Sequence, residues 1–121
     1  MQSLNVVLLQ GNPATAQSLI APLSSAFHTV QSARSITELK HRVAKQHARV
    51  AVVDMEVASL KDVEALSQEF PGLSIVCNHR LADDDLWTAT LNAGAADCFD
   101  SYDVNGILRA AVKQTSASEA A

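Results

Sequence analysis

Asp54 is the residue whose type and setting most invite chemistry. It closes the most apolar run of the chain, Arg49-Val50-Ala51-Val52-Val53-Asp54, so its carboxylate stands at the end of a buried strand. Two readings fit the residues: an acid facing a crevice, or an acid capping the loop that follows. Cys77, His79 and Cys98 lie at the ends of two further apolar runs. Thiolate with imidazole is metal-binding chemistry, but their spacing matches no structural zinc pattern. Two buried cysteines acting as small hydrophobes are the simpler reading. The triplet Asp83-Asp84-Asp85 looks like a cation cluster, yet negative charge at a helix start accounts for it. The densest basic group, Lys40, His41, Arg42, Lys45 and Arg49, reads as a solvated helix face. Trp87 is expected to be half exposed on a helix, either as an interface anchor or packed against the sheet.

These residues need elements to position them. Short apolar runs alternate with segments of helical period. Asn5 to Leu9, Arg49 to Asp54 and Ser74 to Cys77 are strand-like without polar alternation, so both faces must be covered, as in a parallel sheet sandwiched by helices. Weaker strands are expected at His28 to Gln31 and Asp97 to Phe99. Asn12-Pro13 starts the first helix, with Asn as cap and proline in the first turn. Ser35-Ile36-Thr37-Glu38 reads as a capping box opening the second. A third runs from about Leu60 to Phe70 and stops at Pro71-Gly72. A fourth starts at the aspartate triplet and ends at Ala93-Gly94. Asp103 caps a last one, from Val104 to about Gln114. Five β-α units with right-handed crossovers give an α/β fold: a five-stranded parallel sheet, order 2-1-3-4-5, doubly wound with five helices, flavodoxin-like.

In such a sheet ligands bind where the winding reverses, beyond the carboxyl ends of the first and third strands. The residues that follow the strands are therefore the candidates: Gln10, Gly11 and Asn12; Asp54, Met55 and Glu56; Asn78 and His79; Asp100 and Ser101.

The chain has 121 residues, which makes one domain, and 48% of them are hydrophobic against 4% aromatic, so the core is aliphatic. The domain is expected over residues 1–114, with 115–121 as a flexible tail or truncated linker. Net charge is −4, which argues against a nucleic-acid surface. Two cysteines are too few for a secreted framework, the start Met1-Gln2-Ser3-Leu4 has no charged leader region, and no apolar run reaches the roughly 20 residues that span a bilayer. The cytoplasm is the expected compartment.

From about Leu4 to Val112 the chain resembles the receiver domain of two-component response regulators. Val50 to Leu66 is similar, without a gap, to the receiver's third strand, loop and helix, which places Asp54 on the phosphoacceptor position. Gly94-Ala95-Ala96-Asp97 is similar to the motif before the fifth strand, and Asn12-Pro13 to the acidic residue plus proline that opens the first helix. The departures are as informative. The acidic pair that holds Mg²⁺ in receivers is here Gln10 and Gly11. The lysine after the fifth strand is Ser101, with Tyr102 in place of proline. The Ser or Thr ending the fourth strand is Asn78 or His79, and the aromatic switch position is Cys98. The loop after Asp54 carries Ala58 and Asp62 where the family has proline and glycine.

Phosphoryl transfer to a carboxylate brings anion to anion, and the protein must supply positive charge. Each lost contact to that charge costs several kcal/mol, and about 1.36 kcal/mol is tenfold in rate. The resemblance thus implies a signalling module of a phosphorelay, degenerate, working by protein contacts rather than as an enzyme. No cofactor is expected, and Mg²⁺ only if substitute ligands such as Glu56 and Asp100 exist. The alternatives are a conventional receiver phosphorylated at Asp54, and a small flavodoxin-like enzyme or cofactor binder. Against the latter, Gln10-Gly11-Asn12-Pro13 has one glycine and a proline that removes an amide donor. Expected partners are proteins: a histidine kinase, an output domain or a second copy in a homodimer; neither nucleic acid nor membrane is expected. The family's output surface would here include Trp87, Leu91, Tyr102, Leu108 and Arg109.

Overall fold

The structure is a computed structural model that describes residues 2–120, with side chains described for residues 4–113. Its elements run β1 (Gln2–Leu9), α1 (Pro13–Ala26), β2 (Phe27–Ala33), α2 (Ile36–Gln46), β3 (Val50–Asp54), α3 (Leu60–Glu69), β4 (Ser74–His79), α4 (Asp84–Ala93), β5 (Asp97–Asp100) and α5 (Val104–Ala120). The five strands form one parallel sheet in the order β2-β1-β3-β4-β5, as the alternation of apolar runs and helical segments requires. The expected tail, Thr115 to Ala121, falls outside the residues whose side chains are described.

Side chains leave the sheet alternately, and each face has its own core. Val7, Leu9, Ala51, Val53, Ile75 and Cys77 pack with Leu39 and Val43 of α2 and Val63 and Leu66 of α3. Val6, Leu8, Val50, Val52 and Val76 pack with Leu19 and Leu23 of α1, with Phe27, and with Ile107 and Ala111 of α5. Every residue of β3 is buried, which explains a strand without a polar position before Asp54. At about 25 cal/mol per Å² of apolar surface, these two aliphatic layers supply the main driving force.

Helix starts follow the capping signals with two corrections. Asn12 accepts from the Ala14 amide, and Pro13 opens α1. Ser35 accepts from the Glu38 amide, but Glu38 reaches past Ser35 and accepts from the Arg34 amide at 3.0 Å, so the box is not reciprocal. The reciprocal box lies at Ser59 and Asp62, opening α3, where each side chain accepts the other residue's amide. Asp83 caps α4, and Gly94 ends it with φ of 114°, a left-handed conformation that glycine adopts freely. Of the basic group on α2, Lys40 pairs with Glu69 and Arg42 with Glu38.

Candidate functional site

The register of the sheet brings the candidate residues to one place. Asp54 at the end of β3 is the Cα partner of Asn78 on β4, and β1 ends beside β3, so Gln10 and Gly11 emerge next to both. The cleft there has a volume of about 460 Å³ and is lined by Gly11, Asn12, Thr15, Asp54, Glu56, Val57, Arg80 and Ser101, with Pro13 at its edge.

Asp54 is 4% exposed. Its Oδ2 accepts from the Gly11 amide at 2.9 Å and its Oδ1 from the Glu56 amide at 2.9 Å. The acid therefore both faces the crevice and ties down two loops, so the two readings of a strand-end aspartate hold together. Gly11 is needed for this closeness: a Cβ there would stand 2.7 Å from Val57 Cγ1 and 3.4 Å from Asp54 Oδ2. The space that a side chain at Gly11 would need is occupied by Val57.

Behind Asp54 the polar side chains satisfy one another. Gln10 Nε2 donates to Asn78 Oδ1 at 2.8 Å, Asn78 Nδ2 returns a bond to Gln10 Oε1 at 3.0 Å, and the same Nδ2 donates to Ser101 Oγ at 2.8 Å. Asn78 is fully buried and Ser101 is 3% exposed. Three strand ends are thus stitched by neutral dipoles, and buried polar groups of this kind must be partnered in this way. Between the two candidates at the end of β4, Asn78 points into the site. His79 lies half-buried beside it and its Nδ1 accepts from the Leu81 amide.

The cation at the mouth of the cleft is Arg80, a residue that sequence reasoning passed over. Its Nε donates to both carboxylate oxygens of Glu56, at 2.9 and 3.0 Å, and its guanidinium nitrogen lies 2.8 Å from Oε1. This fork holds the Glu56 carboxyl below the ordinary glutamate range, chiefly through the side-chain hydrogen bond with Arg80. The signal was available once register is known. Glu56 and Arg80 each sit two residues beyond the registered pair Asp54 and Asn78.

Residues considered as substitute oxygen ligands do not converge. Glu56 is engaged by Arg80, and Asp100 is exposed and does not line the Asp54 cleft; its Oδ1 accepts from the Tyr102 amide. Among the described residues no group of three His, Cys, Asp or Glu side chains is arranged to hold a metal ion. Cys77 and Cys98 are registered neighbours on β4 and β5, both buried with free thiols. Burial pushes the Cys77 thiol far up, and that of Cys98 up as well, which suits small core residues.

Residues expected on an output surface divide. Trp87 is 46% exposed, with its indole Nε1 donating to Asp97 Oδ1 at 2.9 Å, and Tyr102 is 72% exposed. Arg109 is exposed, Leu91 half-buried, and Leu108 packs partly against the α1–α5 core. No helix among the described residues is long and apolar enough to cross a membrane.

Neither a family model nor a curated protein matches this sequence. Solved structures do. A response regulator from Thermotoga maritima superposes with a TM-score of 0.84 at 20% identity, over 94% of this chain and 98% of that one. The N-terminal signal receiver domain of a two-component response regulator from Bacteroides fragilis gives 0.83 at 18%, over 93% and 97%. The RcsB response regulator of Salmonella typhimurium gives 0.83 at 17%, over 98% of this chain but 62% of that longer one. The chain has the fold of response-regulator receiver domains.

Proposed function

We propose that this receiver-like chain is a signalling module that works through protein contacts, without Mg²⁺-dependent phosphorylation of Asp54. The observation that carries the reading is that the neighbouring strand ends offer neutral side chains, Gln10, Asn78 and Ser101, bonded to one another. Mg²⁺ takes oxygen ligands in near-octahedral geometry, typically one or two carboxylates with water and phosphate. Here Gln10 Oε1 is bound by Asn78, Gly11 brings no side chain, and Val57 fills the space beside it. Both Asp54 oxygens already accept backbone amides. The residues present do not fit the ion, and the position where a lysine would meet a phosphoryl group holds the buried hydroxyl of Ser101.

Arg80 is held by Glu56 in this arrangement, with its hydrogen bonds directed to that carboxylate. An incoming phosphoryl group would meet Asp54 and Glu56, two anions, with one cation already paired. The cofactor-binder alternative loses ground for a related reason. In the loop after β1 the Gly11 amide is given to Asp54, the Ala14 amide to Asn12, and Pro13 has none, so the loop offers little to cradle a phosphate. The partners of such a module are proteins, among them a kinase, an output domain or a second copy.

The test is phosphorylation itself. The protein is incubated with acetyl phosphate and Mg²⁺, and its intact mass is followed. No gain of phosphate mass is expected. Stoichiometric labelling that disappears in Asp54→Asn would show a conventional phosphoacceptor and overturn the reading.

A further inference from the structure

No Asp, Glu, Lys or Arg precedes Arg34 in the sequence, so β1, α1 and β2 carry none of these charges. β2 is one edge of the sheet, separated from β3 and its Asp54 by β1. We propose that this edge takes up an extended, acidic segment of a protein partner as a sixth strand, with the carboxylates of that segment on the cationic flank of α2. The site is remote from the Asp54 cleft, and it does not depend on whether that acid takes up phosphate.

The first argument is the edge. An edge strand presents unpaired amides and carbonyls, and proteins usually blunt it with charge, proline, a bulge or shortness. β5, the other edge, is blunted: it has four residues with Asp97 and Asp100 at its ends. β2 is not. It has seven residues, Phe-His-Thr-Val-Gln-Ser-Ala, none of them charged or proline, and its pairing with β1 is regular from Thr29 to Ala33. His28 and Ser32 are exposed, and Thr29, Val30 and Gln31 are half-buried. Beyond the ladder with β1, no hydrogen bond among the described residues reaches the backbone of His28 to Ser32.

The second argument is charge. Leu39 and Val43 turn α2 toward the core and Lys40 reaches Glu69 of α3, so the opposite flank, with Glu38, Arg42 and Lys45, stands over β2. Arg42 makes the contact, donating to Gln31 Oε1 at 2.8 Å. Glu38 is the acid on this flank, 3.5 Å from Arg42 Nε, and that nitrogen has no hydrogen-bond acceptor. Arg34 and Lys45 are exposed and make no ion pair among the described residues. In a chain of net charge −4 this edge is locally positive. A strand added at the usual spacing of about 4.8 Å turns alternate side chains toward α2, where carboxylates meet Arg42 and Lys45, and the others toward uncharged α1. A second copy paired through its own β2 would set a like cationic flank beside the first. A nucleic acid has no amides to complete the ladder. An acidic protein strand satisfies both the edge and the flank.

The probe is a blocked seven-residue peptide of alternating valine and glutamate, titrated into the full chain and followed by ¹H–¹⁵N shifts. Saturable shifts are expected in Phe27–Ala33 and along α2, with slower hydrogen exchange at the outward amides of β2. Arg42→Gln should weaken binding about fivefold, the upper range for a partly exposed charge pair, and Lys45→Gln should weaken it by less. Lys40→Gln, which removes the same charge from the flank that faces α3, should leave it unchanged. N-methylation separates a ladder from simple attraction of charge. A strand turns alternate amides to opposite sides, so methylating one alternate set should abolish binding and methylating the other should not.

Failure of the peptide to bind overturns the proposal. Equal weakening by Lys40→Gln, or equal binding of the two methylated peptides, would reduce the effect to net charge and overturn it too. So would β2 shifts that grow with protein concentration alone, which mark a second copy as the occupant, or tighter binding of a single-stranded oligonucleotide to the same residues. Phosphate uptake at Asp54 refutes the function proposed above and leaves the edge standing.

Discussion

Removing the side chain of Asn78 tests whether the neutral network holds the site together. Asn78→Ala deletes three hydrogen bonds at once: two with Gln10 and one with Ser101. Each is worth about 1 kcal/mol net, so the direct loss is about 3 kcal/mol. Two corrections act in opposite directions. Ser101, a residue only 3% exposed, loses the donor to its Oγ and adds to the loss. Gln10 is only half-buried and keeps a weak contact with the Val52 carbonyl at 3.4 Å, so it recovers part of its solvation. The net expectation is about 2–4 kcal/mol, a large share of a stability that for small domains is roughly 5–15 kcal/mol. Urea unfolding monitored by circular dichroism measures it, with an unchanged m-value showing that the comparison is sound. Gln10→Ala alone should cost less, and the double variant less than the sum, with a coupling of about 1–2 kcal/mol. A loss below about 1 kcal/mol for Asn78→Ala, or additivity of the two, would refute the claim that these side chains form one satisfied network.

Three further outcomes follow from the same geometry. Gly11→Asp, which restores an acid at the receiver's metal-binding position, should destabilise by about 1–3 kcal/mol because its Cβ meets Val57 Cγ1, and Val57→Ala in the same chain should recover most of that in urea unfolding. Asp54→Asn should cost about 1.5–3 kcal/mol in the same assay, since two backbone amides aim at the carboxylate and one would then face an NH₂ group. The Glu56–Arg80 fork should open on acidification. The folded carboxyl is held below its unfolded value, so its contribution is full above the ordinary glutamate range and is lost as pH falls through the lowered value; the Arg80 Nε–H resonance of the folded protein should broaden in that window and stay sharp above it.

Much of the fold was legible because its strands are apolar on both faces. Val50 to Val53 admits only a sheet covered on each side, and that fixes the layered architecture before any coordinate is known. Asp54 was legible for the same reason, as the first polar residue after such a run. The network behind it was not. Gln10, Asn78 and Ser101 were each marked as following a strand, but their mutual bonds depend on register, which sets which ends lie abreast. The ambiguity between Asn78 and His79 was the same one-residue register question. Arg80 escaped notice because its role exists only opposite Glu56, on another strand's loop. The capping box at Ser35 differs for a local reason: Glu38 has two amides within a turn of it, and it takes that of Arg34.

The Gln10–Asn78–Ser101 stitch contains no ionisable group. Its strength is therefore nearly blind to acidity and to dissolved salt, the two variables that ordinarily soften a charged pocket. The clasp would therefore hold the ends of three strands abreast even while the Glu56–Arg80 fork at the same cleft opens and closes with acidity.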